Sequence, residues 1–179
     1  PRIPDFRLIE VLGEGGMGIV YLAEETALAR RVALKLIRRG VAASPDARVR
    51  FLREARAMAA VVHDNVMPVH RVGECAAGMY FTMPLLPGRS LEERLSATES
   101  PLPHDEAFAI FRQIAAGLQA IHAQGLVHRD IKPSNIWLQE VDGDGDGDPG
   151  GGERAGCRVR ILDFGVALDV APDATARTA

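Results

Sequence analysis

A chain of 179 residues, 47% hydrophobic and 25% charged, can form one domain with a real core or two small lobes, but not two large independent domains. Its net charge of −3 offers no basic field for nucleic acid or an anionic membrane surface, and no apolar run approaches the roughly 18 residues of a membrane span. Cys75 and Cys157 belong to no CxxC pattern, which argues against a disulfide framework or zinc site and fits a reducing cytoplasm. The first residues carry no basic and apolar signal-peptide pattern. It starts at Pro1 and stops at Ala179 without a closing element, so a piece of a longer cytoplasmic protein is expected, with any membrane tether outside it.

Phe6 to Leu12 alternates loosely, Gly13-Glu14-Gly15-Gly16-Met17-Gly18 turns, and Ile19 to Ala23 runs back, which predicts strand, turn and strand. A GxGxxG string would suit a dinucleotide fold if a helix followed, but β-branched and aromatic residues follow here. Glycine lets backbone lie close over phosphates without side-chain obstruction. Gly13, Gly15 and Gly18 therefore read as a phosphate-covering loop, with a plain hairpin turn as the alternative. Val32-Ala33-Leu34-Lys35-Leu36 is a third strand, apolar around a cation that would be costly there without an anion to meet.

Ser44-Pro45 is a good helix start, and Phe51, Ala55, Met58, Ala59 and Val62 make an apolar face at helical spacing, with Glu54 beside it. Val66 to Val72 and Met79 to Met83 read as strands, followed by Pro84-Leu85-Leu86-Pro87-Gly88. A short helix at about Leu91 to Leu95 precedes a long amphipathic helix from His104 to Ala123. Its expected buried stripe is Phe108, Phe111, Ile114, Ala115, Leu118 and Ile121, and Gly125 stops it. His122 reads as a core or boundary histidine with no ligand role.

Of the 21 basic residues, 19 are arginine, and the only lysines are Lys35 and Lys132. The delocalised fork of arginine cannot replace a compact ammonium that must fit beside a phosphate. The second lysine lies in His128-Arg129-Asp130-Ile131-Lys132-Pro133-Ser134-Asn135. That string holds a carboxylate able to take a hydroxyl proton, an ammonium able to steady a migrating phosphoryl group, and an amide able to hold a metal ion. Residues 142–156 are low-complexity, with five acids against one arginine, a net of −4 that leaves +1 for the rest of the chain. Asp142, Asp144, Asp146, Gly147 and Glu153 satisfy a calcium-loop pattern. Such a loop needs flanking helices, and the glycine content favours a mobile acidic linker. Asp163-Phe164-Gly165 follows a β-rich apolar run.

HRDIKPSN resembles the catalytic loop of the eukaryotic-type protein kinases, and Lys132, two places after the aspartate, resembles the serine/threonine branch. LGEGGMGIVY is similar to the glycine-rich loop of bacterial serine/threonine kinases, and the motifs follow in that family's order. The resemblance implies an α+β, protein-kinase-like bilobal fold. Residues 1–83 would be an N-lobe, a small antiparallel β-sheet with one long helix, and 84–88 a hinge. Residues 89–179 would be a partial, mainly helical C-lobe, with 142–156 as a flexible insert in a hairpin and 166–179 as the start of the activation segment.

The same resemblance implies ATP and Mg2+ as cofactors. Leu12, Gly13, Glu14, Gly15, Gly16, Met17, Gly18, Val20, Ala33, Lys35, Met83, Pro84, Leu86 and Trp137 would bind the nucleotide, with Met83 as gatekeeper and the adenine read by the Pro84 carbonyl and Leu86 N–H. Lys35, held by Glu54, would position the α- and β-phosphates. Asn135 and Asp163 would hold magnesium, Asp130 would accept the substrate proton, and Lys132 would offset transferred charge. Met58, Val69, His128 and Phe164 would stack into a spine joining the lobes. Trp137 departs from the family, which usually floors the adenine with a smaller aliphatic residue. Thr175 and Thr178 are candidate phosphosites that Arg129 could meet. The implied activity is transfer of the ATP γ-phosphate to protein Ser/Thr hydroxyls, without a nucleic-acid partner. A nucleotide-binding pseudokinase or scaffold and a small-molecule kinase of the same fold are the alternatives. Because the peptide-docking loop, the APE segment and later helices have no counterpart before Ala179, the fragment alone is expected to be inactive.

Overall fold

The computed structural model describes residues 1–16, 18–38, 45–97, 100–141 and 157–162; the side chains of Pro45, Ala47, Arg50 and Glu54 also lie outside that description. Met17, Asp163, Phe164, the acidic segment 142–156 and Thr175 and Thr178 therefore lie beyond the described residues, and the expectations attached to them stay there. The fold is α+β. Five antiparallel strands form the first sheet: β1 (Phe6–Gly15), β2 (Gly18–Glu25), β3 (Arg30–Ile37), β4 (Arg71–Cys75) and β5 (Gly78–Pro84), in the order β1-β2-β3-β5-β4. Helix α1 (Pro45–Ala59) connects β3 to β4. A second sheet of β6 (Gly88–Ser90), β7 (Ile136–Glu140) and β8 (Cys157–Ile161) is accompanied by α2 (Leu91–Ser96), α3 (His104–Ala123) and a 3-10 turn at Pro133–Asn135.

Side-chain alternation along β3 sorts the first sheet into two faces. Val32, Leu34 and Leu36 pack outward with Ile3, Phe6, Ala23 and Tyr80. Ala33 and Ile37 point inward to the main core, which collects Phe51, Ala55 and Met58 of α1 together with Met79, Phe81 and Met83 of β5. Lys35 shares the parity of Ala33 and Ile37. It is therefore a buried cation, 8% exposed, on the inner face of a central strand, between Val20 of β2 and Phe81 of β5 in register.

The glycine-rich segment continues as strand further than expected, with β1 paired to β2 as far as Gly15 opposite Gly18. Close packing explains Gly18: a Cβ there would lie 2.1 Å from the Leu36 carbonyl oxygen. The predicted strand from Val66 to Val72 starts late, since β4 begins at Arg71. Val66 instead makes an isolated parallel bridge to Ile161. Val62 lies past the end of α1 and is exposed, and Val61 takes the buried place.

The predicted stripe on α3 needs a larger correction. Its buried residues are Ile110, Gly117 and Ile121, whereas Phe108 and Phe111 are 67% and 66% exposed and Ala115 is also exposed. The helix turns its Ile110–Gly117–Ile121 edge to β8, and no described element covers the phenylalanines. His122 is likewise exposed rather than at the core boundary.

Candidate active site

The two sheets meet around a cavity of about 470 Å³. Leu12, Gly13, Val20, Ala33, Met83 and Pro84 line it from the first sheet, Leu85, Leu86 and Pro87 from the connection between the sheets, and Gly88 from β6. Met67, Glu93, Ser134, Trp137 and Leu162 complete it. Eight predicted nucleotide residues thus share one wall system: Leu12, Gly13, Val20, Ala33, Met83, Pro84, Leu86 and Trp137. Glu14, Gly15, Gly16, Gly18 and Lys35 are not among the lining residues. Lys35 nevertheless lies two residues along β3 from Ala33 and projects from the same face.

The sequence reading did not single out Met67, Leu85, Pro87, Gly88, Glu93, Ser134 or Leu162 as lining residues. Five of them fall in or beside a stretch the motifs mark, Leu85, Pro87 and Gly88 in the expected hinge, Ser134 within HRDIKPSN and Leu162 before Asp163, and that placement is the available signal. Met67 carried none. It enters because its backbone N–H donates to the Ile161 carbonyl at 2.9 Å, which draws the segment after α1 onto β8.

At the Ser134 end of the cavity stands a compact polar cluster. Lys132 Nζ lies 2.9 Å from Asp130 Oδ2. Asn135, buried at 6% exposure, donates from Nδ2 to the same oxygen at 3.0 Å and to the Asp130 carbonyl at 2.8 Å. Lys132 chiefly holds the Asp130 carboxyl below its ordinary pKa; burial opposes it, and the Asn135 hydrogen bond adds a smaller lowering. The cause is charge-assisted hydrogen bonding to the ionised form. Three sequence-predicted residues are therefore in direct contact.

His128 supports this loop from below. It is 1% exposed, its Nε2 is 2.8 Å from the Leu162 carbonyl oxygen, and its Nδ1 is 3.3 Å from the Asp130 backbone nitrogen. The Leu162 carbonyl can only accept, so Nε2 donates to it, and Nδ1 accepts the Asp130 N–H. Arg129 between them has φ +64°, a left-handed conformation costing on the order of 1 kcal/mol for a side chain with a Cβ. That turn separates the buried imidazole from the half-exposed carboxylate. Leu162 is gripped at both backbone groups, since its N–H donates to the Asn135 carbonyl at 2.8 Å. The residue that precedes Asp163 is thus tied to both ends of the catalytic-loop motif.

Of the expected lobe-joining stack, Met58 and His128 are buried and Val69 is partly buried against the same core. Glu54 lies on α1 four residues before Met58, and its expected pairing with Lys35 falls outside the described side chains. Among the described residues no group of three or more His, Cys, Asp or Glu side chains could hold a metal ion. Also among them, no helix is long and apolar enough to cross a membrane.

Comparison with known proteins agrees with this geometry. The protein kinase domain family matches residues 6–179, and the chain belongs to that family. It is similar to the serine/threonine-protein kinase pkn2 of Myxococcus xanthus, 39% identical over 169 residues, which is 94% of this chain and 19% of that protein. It is also similar to the serine/threonine-protein kinase PknE of Mycobacterium bovis, 42% identical over 137 residues, covering 76% of this chain and 24% of that protein. Among solved structures, the PknI kinase domain of Mycobacterium tuberculosis superposes with a TM-score of 0.76 at 28% identity, over 93% of this chain and 62% of that one. Rad53 1-466 in complex with AMP-PNP superposes with a TM-score of 0.73 at 25% identity, over 92% of this chain and 39% of that one. The chain therefore spans less than a quarter of the length of these two curated relatives.

Proposed function

We propose that this chain is the ATP-binding and catalytic-loop part of a serine/threonine protein kinase, which transfers the γ-phosphate of ATP to hydroxyls of protein substrates. The observation that carries this reading is the shared oxygen of Asp130, bonded to both Lys132 and Asn135 at one end of an apolar cavity. An ammonium and an amide donor on one carboxylate fix its orientation, which is what a base serving phosphoryl transfer needs. Residues 1–83 serve as the N-lobe, 84–88 as the hinge and 89–179 as a part of the C-lobe. The AMP-PNP bound to Rad53 supports an adenosine triphosphate as the occupant of the cavity.

In this reading the nucleobase enters between the aliphatic residues of the first sheet and Trp137, and Lys35 on the inner face of β3 meets the phosphates. Both side-chain contacts of Asp130 use Oδ2, which leaves Oδ1 to accept the hydroxyl proton. The hydroxyl oxygen bonds to the γ-phosphorus, the bond from phosphorus to the ADP oxygen breaks, and the proton passes to Asp130. A carboxylate held by Lys132 is a weak base, and its basicity rises as Lys132 turns toward charge on the moving phosphoryl group. Most of the rate comes from positioning and electrostatics. Asn135 donates through Nδ2, which leaves Oδ1 as a hard oxygen ligand suited to magnesium, with Asp163 as the second. The bound ion would neutralise phosphate charge.

The test is transfer of labelled γ-phosphate to a mixed Ser/Thr peptide library by the full-length protein. Transfer that disappears in Asp130→Asn supports the reading, whereas nucleotide binding without any transfer would favour a binding scaffold. Incubation with ATP followed by mass spectrometry asks whether Thr175 or Thr178 is modified.

A further inference from the structure

The register of the first sheet sorts the glycine-rich hairpin into two rows. Gly13, Val20 and Lys35 stand opposite one another through β1, β2 and β3, and Gly13 and Val20 carry that row into the cavity lining. Glu14, Ile19 and Leu36 form the neighbouring row, which alternation puts on the outer face, where Leu36 packs. Arg38 follows Leu36 by two residues at the end of β3, and its Nη2 donates to Glu14 Oε1 at 2.5 Å. The ion pairs of Arg7 with Glu24 and of Arg30 with Glu25 join residues directly opposite on adjacent strands. The pair of Arg38 with Glu14 instead reaches over β2, across two ladder spacings or about 10 Å.

We infer that Arg38 is a positioning residue for ATP: it holds the Glu14 carboxylate on the outer face of the hairpin and cancels its charge, so that the phosphate-covering tip does not repel a triphosphate. The inference rests on the reading of the cavity as a nucleotide site. Both side chains are more than half exposed, and exposed pairs add little to stability. Location gives this pair its consequence, because Glu14 is the only acid between Gly13 and Gly18, where a carboxylate has the wrong sign for phosphate. Within a Debye length, about 8 Å at physiological ionic strength, one uncompensated charge facing several phosphate charges alters affinity by about three- to tenfold. Adenosine carries no charge and gives no such response.

Calorimetry on the full-length protein with ATP and with adenosine, at low and at high salt, tests this. The variants are Arg38→Met, Arg38→Lys, Glu14→Gln and the double variant Arg38→Met/Glu14→Gln beside the parent. Arg38→Met leaves Glu14 uncompensated and should weaken ATP binding about three- to tenfold, and less at high salt. Glu14→Gln releases the guanidinium and should tighten ATP binding. The double variant should return close to the parent, and Arg38→Lys, which keeps the cation, should stay near it. Adenosine affinity should hold through the series. Weaker ATP binding in both single variants, without recovery in the double, would overturn neutralisation in favour of a mechanical clip on the hairpin. Unchanged ATP affinity in Arg38→Met, or adenosine affinity that falls with it, would overturn the inference as well. A parent that binds neither ATP nor adenosine would instead overturn the nucleotide reading itself.

Discussion

The side-chain amides of Asn65 and Gln113, 48 residues apart, meet at 3.1 Å over the outer edge of β8. Between them they finish that edge. Gln113 donates to the Cys157 carbonyl at 3.2 Å and accepts the Val159 N–H at 3.0 Å, and Asn65 Nδ2 donates to the Val159 carbonyl at 2.9 Å. The backbone then takes over, since the Ile161 N–H donates to the Asn65 carbonyl at 2.9 Å and the Ile161 carbonyl accepts the Met67 N–H at 2.9 Å. A strand edge that would need a neighbouring strand is closed by two carboxamides and three residues of loop. Because β8 leads through Leu162 to Asp163, this closure fixes the strand that approaches the catalytic loop.

Asn65→Ala and Gln113→Ala should each lower stability by about 1–3 kcal/mol, because each strands buried backbone groups of β8. The double variant should lose less than the sum, since the two amides act as one network. Chemical denaturation of the parent and the three variants checks this. Unchanged midpoints would show that the edge of β8 is satisfied in another way.

Gly117→Ala sets two effects against each other. Alanine improves helix propensity by about 1 kcal/mol, but its Cβ would lie 2.7 Å from Ile161 Cδ1 and 2.9 Å from the Asn65 carbonyl oxygen. Overpacking of that kind costs about 1–3 kcal/mol, and the oxygen belongs to backbone that is already bonded to Ile161. The expected outcome is a net loss of about 1 kcal/mol in the same denaturation experiment, with a gain in stability as the contrary result.

The first sheet was largely legible in the sequence, because local pattern encodes it, whereas the cavity residues followed only from the resemblance to the kinases. Alternation in Val32 to Leu36 put Lys35 on one face, and the glycines between two β-rich runs marked the β1–β2 hairpin. The amide closure of β8 was not legible, since no local signal joins Asn65 to Gln113 or to Val159. Helical spacing on α3 misled for a different reason. It reports which residues could share a buried face, and Phe108 and Phe111 are spaced for one that no described element covers. Strand β6 escaped notice because Gly88-Arg89-Ser90 has no strand composition. Gly88 sits there at φ +129°, with room for no Cβ beside the Leu138 carbonyl oxygen.

The Asp130 carboxyl has a pKa lowered chiefly by Lys132. A carboxyl whose folded pKa lies below its unfolded value adds stability above the unfolded value and loses it as pH falls through the folded one. The contribution of Asp130 should therefore be full at neutral pH, begin to fade as pH falls through the ordinary aspartate range, and be gone below the lowered folded value. Carboxyl-carbon NMR titration of the parent and Lys132→Met checks this, with the Asp130 midpoint expected to rise in the variant. A midpoint that stays in place would show that Lys132 does not hold the carboxylate.

Lys35→Met keeps the length of the side chain on the inner face of β3 and removes the ammonium. It should reduce phosphoryl transfer by about 10²–10³, the usual loss when one preorganised electrostatic group is deleted. The measurement is the initial rate of transfer at saturating nucleotide, read beside a melting curve to confirm the fold. A rate near that of the parent would remove Lys35 from the phosphate site.

The most direct measurement of all is γ-phosphate transfer by the full-length protein with Asp130→Asn beside the parent. The substitution preserves shape and takes away only the proton acceptor and its charge. The account predicts peptide phosphorylation by the parent on serine or threonine and a loss of about 10²–10⁴ in the variant, the usual contribution of a positioned general base. A parent that binds ATP and phosphorylates nothing, or a variant that transfers at the parent's rate, would contradict it.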